Sequence, residues 1–287
     1  MSLISEKLCF SIIFQLQKKQ PWLSERHDEV LELLFADCKT DEQRQLILEL
    51  LDRFIFLKES DYNQSLHDLA DEIVTNPSLE SGTTQLVSLT ADNYSDSGQS
   101  ILYALKPRLE KRGWREHLAI NRFGSSYKEF HRANDKHKNI IFVDEYIGSG
   151  QTVLSRYKEL KRVYSEKGIN DITIKVFVIA ASTVGLEFLK QNNIETFFLH
   201  EIKKGISDHS NDINRNHHLD LMSKLEDSLS QRYNDSDLPR MGYGGTESLY
   251  GREEGNTPNS VFPIFWWPFY IDEKKRKTIL TRAMGDA

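Results

Sequence analysis

Cysteine is almost absent from this sequence of 287 residues, in which only Cys9 and Cys38 occur. Two cysteines cannot build a disulfide framework or a cysteine-based zinc site, so we expect neither. The counts of 15 glycines and 7 prolines exclude a collagen-like or low-complexity chain, and 39% of the residues are hydrophobic. The composition predicts a folded globular protein with one main domain and a smaller one, in which both cysteines are small core residues on helices.

Long hydrophobic runs are missing as well. The longest apolar stretch, residues 261–271, is much shorter than the roughly 20 residues of a membrane-spanning helix, and Pro263 and Pro268 interrupt it. The N-terminus shows no basic region followed by an apolar segment and a small-residue cleavage site, so no secretion signal is predicted. We therefore expect a cytoplasmic protein without a membrane span.

Positive charge is scarce over the whole chain and concentrated in one segment. The formal net charge of −6 argues against a protein that coats nucleic acid non-specifically. Between residues 106 and 138, however, ten Lys or Arg stand against four Asp or Glu, so this basic window carries +6 and the rest of the chain −12. The regional excess predicts contact with an anion, although each cation alone is more typical of a solvated surface.

The spacing of apolar residues predicts two regions. Residues 1–76 carry apolar residues three and four positions apart, and Thr40 with Gln43 has the pattern of a capping box, so this region is predicted to be a helical module for packing or partner binding. From residue 84 onward, strand-like runs alternate with helical patterns, which predicts an α/β fold with an open, mainly parallel sheet over residues 77–287. The predicted strands are 85–90, 138–144, 172–180 and 194–199, and the predicted helices are 99–110, 153–167, 184–191, 219–233 and a basic helix from Asp272.

One stretch carries the clearest chemical signal. A buried strand is followed by Asp144 and Glu145, and then by Gly-Ser-Gly-Gln-Thr at residues 148–152, which leads into a helix. Glycines let the backbone approach a ligand closely, and the free N–H groups of a first helical turn bind phosphate. Two carboxylates would repel that phosphate but are good acceptors for a vicinal diol. The pattern therefore predicts a site for ribose 5-phosphate, and the alternative is a structural turn that the carboxylates cap.

This stretch resembles the fingerprint of the type I phosphoribosyltransferases, in which a hydrophobic strand precedes two acidic residues, three further positions and Thr-Gly-x-Thr. Here Ser149 replaces the first Thr and Glu145 the second Asp. The resemblance implies that Asp144 and Glu145 are catalytic and hold the 2- and 3-hydroxyls of 5-phosphoribosyl 1-diphosphate (PRPP). It also implies Mg²⁺, bound mainly through PRPP, and no metal site of the protein's own. The implied 5-phosphate site is Gly148, Ser149, Gly150, Gln151 and Thr152.

A second loop fits the same ligand. Ser95 and Asp96 precede a run of small polar residues that opens the helix after the first strand, and its hydroxyl and N–H groups suit an anion. The resemblance implies that this loop holds the diphosphate and that the basic window closes over it, whereas an ordinary helix cap by Ser97 is the alternative. The implied diphosphate residues are Ser97, Gly98, Gln99 and Ser100, and those of the basic window are Arg112, Arg115, Arg122, Lys128 and Arg132.

The segment 256–270 is unusually aromatic. Aromatic side chains stack on nucleobases, so Phe265, Trp266 and Trp267 are predicted to bind the acceptor of the ribosyl group, with Asn259 bonded to its edge. The alternative is that these rings fill a core between the sheet and the last helix.

A narrower resemblance covers about residues 85–270. The Ser-Asp-Ser-Gly-Gln-Ser loop, the Val-Asp-Glu loop and Thr257-Pro258-Asn259 with the aromatic segment are similar to a bacterial phosphoribosyltransferase-like family that is associated with conflict and antiphage systems, some with retron reverse transcriptases. It implies an effector subunit, a nucleobase, nucleotide or tRNA acceptor, a retron or other defence partner, and an oligomer. A catalytically inactive PRPP or nucleotide sensor is the alternative function, because Glu145 is longer than Asp, and a structural adaptor is a third.

Overall fold

A computed structural model of the chain describes residues 3–89, 97–209, 211–234 and 236–283. The chain divides into a terminal unit, Met1–Glu59 with Ile202–Ala287, and a central unit, Ser60–Glu201. The predicted boundary between residues 1–76 and 77–287 is a different division of the chain, and it stays a prediction. The helices and strands are α1 Leu3–Lys19, α2 His27–Leu31, α3 Asp41–Asp52, β1 Ile55–Leu57, α4 Glu59–Thr75, β2 Thr84–Ser88, α5 Ser97–Lys111, β3 Leu118–Ile120, α6 Ser126–Arg132, β4 Asn139–Ile147, α7 Gln151–Glu166, β5 Thr173–Ser182, α8 Thr183–Gln191, β6 Thr196–Ile202, α9 Asp212–Glu226, β7 Arg232–Tyr233, β8 Ser236–Asp237 and β9 Tyr250–Arg252.

A five-stranded sheet with the strand order β3-β2-β4-β5-β6 forms the centre of the central unit. β2 pairs in parallel with β3 and β4, and β4 pairs in parallel with β5. Every residue of β2 and all but the first of β5 are buried. Strands that are buried on both faces are typical of a parallel sheet covered by helices. The predicted α/β fold with a mainly parallel sheet is therefore confirmed.

The helix α7 is attached to this sheet by both apolar and polar contacts. Leu160 and Tyr164 of α7 belong to the same buried cluster as Phe142 of β4. The Tyr164 hydroxyl also meets Gln85 of β2, whose Nε2 lies 3.0 Å away, and Ser126 of α6, whose Oγ lies 3.0 Å away. Because buried polar groups that find partners fix relative positions, these contacts hold the last turn of α7 against the sheet.

One core joins the N-terminal helices of the terminal unit to its C-terminal part. The predicted capping box of α3 is formed: the Thr40 side chain accepts a hydrogen bond from the Gln43 N–H, and the Gln43 Oε1 accepts one from the Thr40 N–H. The apolar face of α3, including Ile47 and Leu50, belongs to a cluster that also contains Phe262 and Trp267. Apolar side chains of the described residues between Ile13 and Phe54 and between Ile206 and Leu280 are therefore buried together.

Three predictions of secondary structure are wrong in the terminal unit. The first 76 residues are not helical throughout, because β1 pairs in parallel with β9. The basic helix predicted from Asp272 is absent from the described residues 272–283. The cause is Arg276, which is 4% exposed and donates hydrogen bonds to the Asp37 carboxylate and to two backbone carbonyls. The third is α9, which begins before residue 219, because the Asn211 side chain caps it.

None of the described helices has both the length and the apolar character needed to cross a membrane. Cys38 is buried, as predicted, but the prediction that it lies on a helix is wrong, because it has extended backbone directly after a short π-helical segment.

Candidate functional site

We use the name β4–α7 loop for residues 144–152, which are the end of β4, the connection and the start of α7. This segment brings the predicted catalytic and phosphate-binding residues together in the central unit. β4 continues past Asp144 to Ile147, three residues further than predicted, and Gly150 is the N-cap residue of α7. β4 is an inner strand of the sheet, between β2 and β5. The loop therefore lies at the carboxyl end of an inner strand, where open α/β sheets bind ligands.

The start of α7 leaves hydrogen-bond donors exposed. Gly150 has a φ of +76°, and no described side chain caps the helix. The first N–H groups of a helix have no partner within the helix, so those of α7 are available to an anion. Gln151 and Thr152 are exposed, whereas Ser149 is half-buried. The predicted 5-phosphate residues thus form one turn with hydroxyl and N–H groups.

Two residues that the sequence analysis missed fix the shape of this loop. The Ser182 hydroxyl donates a hydrogen bond to the Gly148 carbonyl over 2.6 Å and accepts one from the Gly185 N–H over 3.0 Å. A Cβ added to Gly185 would lie 2.2 Å from that same Gly148 oxygen. The signal was present in the sequence, since Ser-x-x-Gly at the end of a strand is the pattern of a capped helix start.

The two acidic residues have different environments. Asp144 is half-buried, and its Oδ1 accepts hydrogen bonds from the Ser97 hydroxyl over 2.6 Å and from the Glu145 N–H over 2.7 Å. Glu145 is only 5% exposed. Because successive side chains of a strand leave it on opposite sides, a ribose that contacts both carboxylates has to lie across the end of β4.

The predicted diphosphate residues form the first turn of α5, next to Asp144. A Cβ added to Gly98 would lie 2.7 Å from the Ser88 Oγ and 3.3 Å from the Val143 carbonyl oxygen. Only a glycine lets α5 begin this close to the ends of β2 and β4. The Gln99 Nε2 donates to the Asn121 carbonyl over 3.3 Å, and Ser100 is exposed. Ser95 and Asp96 lie outside the described residues.

The basic window, residues 106–138, forms the end of α5, β3, α6 and the start of the chain leading to β4. Three of its five predicted contacts are ion-paired: Arg112 with Asp71 over 2.6 Å, Arg115 with Glu110 over 2.7 Å and Arg132 with Glu129 over 2.8 Å. The hydrogen bond from Arg112 lowers the pKa of Asp71. Arg122 and Lys128 are exposed and have no ion pair with any described residue.

The predicted acceptor residues lie in the terminal unit, whereas the β4–α7 loop lies in the central unit. Phe265, Trp266 and Trp267 are at most 2% exposed and belong to the core. The indole N–H groups of Trp266 and Trp267 donate to the Val261 carbonyl and the Ser230 hydroxyl over 2.9 and 2.8 Å. A cavity of about 410 Å³ touches both tryptophans and Asn259, but not Phe265.

Within the described residues, no group of three or more His, Cys, Asp or Glu side chains is placed to hold a metal ion. Burial raises the pKa of the Cys38 thiol to about 12, so this thiol stays protonated at neutral pH. Cys38 therefore lacks the exposed, low-pKa thiol that is typical of a reactive cysteine.

Comparisons with known proteins give one family match and several distant structural matches. The PRTase-CE family model matches residues 22–282. Among solved structures, the orotate phosphoribosyltransferase of Aeropyrum pernix is 17% identical, with a TM-score of 0.32 over 50% of this chain and 72% of that one. The hypoxanthine-guanine phosphoribosyltransferase of Schistosoma mansoni in complex with IMP is 16% identical, with a TM-score of 0.35 over 52% and 66%. A hypothetical protein of Neisseria gonorrhoeae with bound ppGpp is 14% identical, with a TM-score of 0.35 over 58% and 96%. No curated protein matches.

Proposed function

Since this chain belongs to the PRTase-CE family, we propose that it is a PRPP-binding protein of phosphoribosyltransferase type with its ribose 5-phosphate site in the β4–α7 loop. One observation carries the proposal. The uncapped first turn of α7, which suits a phosphate, follows directly on the strand that carries Asp144, which suits a diol. Ser97 at the start of α5 lies 2.6 Å from that carboxylate, so a second set of donors is at the same place.

Each part of the site has a role in the proposed reaction. The residues Gly148–Thr152 hold the 5-phosphate, and the first turn of α5, Ser97–Ser100, holds the diphosphate. Asp144 and Glu145 hold the ribose hydroxyls and stabilise the positive charge that develops on the ribose as the diphosphate leaves C1. The carboxylates are preorganised for this, because Asp144 is oriented by two hydrogen bonds.

Mg²⁺ fits this arrangement as a ligand of PRPP rather than of a protein cage. It prefers oxygen ligands and is bound in proteins through one or two carboxylates and substrate phosphates. Within the described residues no side-chain cluster offers three ligands, whereas the Asp144 carboxylate lies beside the proposed diol position. When bound, the metal supplies neutralisation of the leaving diphosphate.

Calorimetric titration of PRPP with Mg²⁺ into the wild type and into Asp144→Asn tests the proposal. We expect saturable binding to the wild type and at least about tenfold weaker binding to the variant, because charge-assisted hydrogen bonds to the ribose are lost. Asp171→Asn, a change of the same kind at an exposed aspartate that pairs with Lys138, is the matched control and keeps full affinity. Wild-type affinity in Asp144→Asn, or no binding to the folded wild type, contradicts the proposal.

A PRPP or nucleotide sensor without turnover is the second candidate, and the burial of Glu145 favours it. A carboxylate that is 5% exposed has little surface for a sugar hydroxyl. Release of diphosphate from PRPP separates the two candidates. An enzyme releases it with a suitable acceptor and stops doing so in Asp144→Asn, whereas a sensor binds PRPP and releases none with any nucleobase, nucleotide or tRNA offered.

For the acceptor, we propose the cavity beside Asn259, Trp266 and Trp267. Its volume of about 410 Å³ is within the usual range of ligand pockets, about 300–1,000 Å³. In this lining Tyr243, which is 48% exposed, and the amide of Asn259 suit a nucleobase, whereas Trp266 and Trp267 are at most 2% exposed. Quenching of tryptophan fluorescence by free nucleobases measures this binding, and Asn259→Ala is expected to weaken it while Asn63→Ala, in the central unit, does not.

We further propose that the protein is an effector subunit of an antiphage system, with a reverse transcriptase or another defence component as partner. The support is the resemblance of its loops, described above. Plaque counts on cells that carry the complete gene neighbourhood test this role. Protection that is lost in Asp144→Asn but kept in Asp171→Asn is the expected result, and equal protection in both variants contradicts it.

A further inference from the structure

The terminal unit holds a second cavity that neither the proposed ribose site nor the proposed acceptor site uses. Its volume is about 300 Å³. We name it the arginine pocket and infer that it binds a small organic anion, in which a phosphate or carboxylate group is joined to a planar apolar part. Its lining residues are Arg26, Phe56, Arg252, Glu254, Gly255, Asn256, Thr257, Leu280, Thr281 and Ala283.

Arg26 supplies the first charge of this pocket. It is half-buried, and its guanidinium group makes no hydrogen bond or ion pair with any residue that the structure describes. A guanidinium group carries five N–H donors in a planar fork that matches the oxygens of carboxylate and phosphate groups. A half-buried guanidinium without a protein partner is therefore a donor set that an anion can complete.

Arg252 supplies the second charge, and Gly255 determines where it lies. A Cβ added to Gly255 would lie 2.4 Å from the Cγ and 3.1 Å from the Nε of Arg252. The Arg252 side chain therefore runs across the Cα of residue 255, which only glycine permits. Its Nη1 donates to the Glu253 carbonyl over 3.1 Å, which further fixes the group at the pocket.

The charges of the pocket do not balance. Two guanidinium groups line it against one carboxylate, that of Glu254, which is exposed. An anion in the pocket can accept charge-assisted hydrogen bonds from the Arg26 guanidinium group, and Arg252 adds a second positive charge to the same lining. The pocket therefore selects a ligand of negative charge.

One wall of the pocket is apolar. Phe56 is stacked on Trp22 with a centroid distance of 4.2 Å and an interplanar angle of 8°, so its ring orientation is fixed. Leu280 is 4% exposed beside it. Offset stacking on a fixed aromatic ring favours a planar ligand, which is why we assign an apolar part to the anion.

The test has to be read at the pocket itself, because the β4–α7 loop is also proposed to bind phosphate. Phenylglyoxal modifies arginine, and peptide mass spectrometry gives the rate at each arginine separately. Inorganic phosphate, phenyl phosphate and benzoate are the probes in the full-length protein. We expect phenyl phosphate and one of the other two to slow the modification of Arg26, and phenyl phosphate to be the most effective. Arg232 is exposed and forms an ion pair with Asp237 over 3.8 Å. It serves as the reference, and we expect its rate of modification to stay unchanged.

Variants complete the test. Arg26→Gln should weaken the binding of phenyl phosphate at the pocket, read as the protection of Arg252 from phenylglyoxal, by about tenfold, the effect of one charge-assisted hydrogen bond. Arg232→Gln should leave this protection unchanged. Because the Arg26 side chain makes no hydrogen bond or ion pair with any described residue, Arg26→Gln should keep the thermal stability of the wild type. If none of the probes slows Arg26 more than Arg232, the inference is wrong. Asp144→Asn should leave the protection of Arg26 intact, so a failure of the proposed ribose site is distinguishable from a failure of this one.

Discussion

The β4–α7 loop and the aromatic segment 261–270 were both predicted to bind a ligand, and they differ in what they expose. In the loop, Gln151 and Thr152 are exposed and the first turn of α7 is uncapped by described side chains. In the aromatic segment, residues 261–267 are all buried. A glycine pattern at the end of a strand specifies a backbone shape, whereas aromatic composition alone is equally compatible with a core.

The two regions also differ in whether their N–H groups already have hydrogen-bond acceptors. The indole N–H groups of Trp266 and Trp267 already have protein acceptors. The N–H groups at the start of α7 have none within the helix. Unsatisfied donors at a fixed backbone shape therefore distinguish a binding loop from a packed segment better than residue type does.

We expect Trp267→Ala to cause the largest loss of stability, because the aromatic segment is part of the core. A small loss would mean that the segment is not structural and would contradict the comparison. Trp267 is 1% exposed, and removal of such a ring costs about 3–5 kcal/mol of unfolding free energy. Chemical denaturation measures the loss. Tyr243→Ala, at a ring that is 48% exposed, is the control and should cost far less. PRPP affinity at low temperature should be unchanged in both variants, and a loss in Trp267→Ala alone would show that PRPP binding depends on the aromatic segment.

The second largest effect concerns pH, because the carboxyl groups of the two units should change stability with pH in opposite directions. Burial raises the pKa of Glu226, in the terminal unit, to about 7. A raised carboxyl pKa means that the folded state binds the proton more tightly, so stability is lost as the pH rises from about 4.5 to about 7 and stays low above that. The loss is about 3 kcal/mol. In the central unit, ion pairing lowers the pKa of Asp71 and Asp171, and their small contributions have the opposite sign.

Denaturation of Glu226→Gln at pH 5 and pH 8 checks this. The variant should be more stable than the wild type at pH 8 and should show a smaller difference between the two pH values. Glu187→Gln, at an exposed glutamate of α8, serves as the control and should keep the wild-type profile. An unchanged profile in Glu226→Gln would mean that Glu226 remains ionised when buried.

Gly185→Ala should have an intermediate effect on stability and tests whether PRPP binding depends on the shape of the loop. The added Cβ would meet the Gly148 oxygen at 2.2 Å, so the loop has to move. Overpacking of this kind costs about 1–3 kcal/mol. We expect PRPP affinity to fall more than stability, measured by calorimetry and thermal unfolding. Gly124→Ala, where an added Cβ meets nothing within 4 Å, should change neither, and equal affinity in both variants would show that the loop tolerates displacement.

Much of the central unit could be predicted from the sequence, because its strands are short apolar runs and its site residues are consecutive. The capping box at Thr40 and the run from Asp144 to Thr152 are local patterns. The pairing of β1 with β9 and the buried contact of Arg276 with Asp37 join residues about 200 positions apart or more, and local periodicity contains no information on them. The basic run around Arg276 has the pattern of a solvated helix, and the sequence does not show that Arg276 pairs with Asp37.

Ser182→Ala is the smallest change and the most specific test of the loop. It removes the hydroxyl that joins the Gly148 carbonyl to the Gly185 N–H, which costs about 1 kcal/mol of stability. Because this hydroxyl acts through the shape of the loop, PRPP affinity should fall by more than the stability loss alone explains, by about tenfold. Ser182→Thr keeps the hydroxyl and should restore affinity. If Ser182→Ala binds PRPP as the wild type does, the conformation of Gly148 does not depend on Ser182, and the loop is held by β4 and α7 alone.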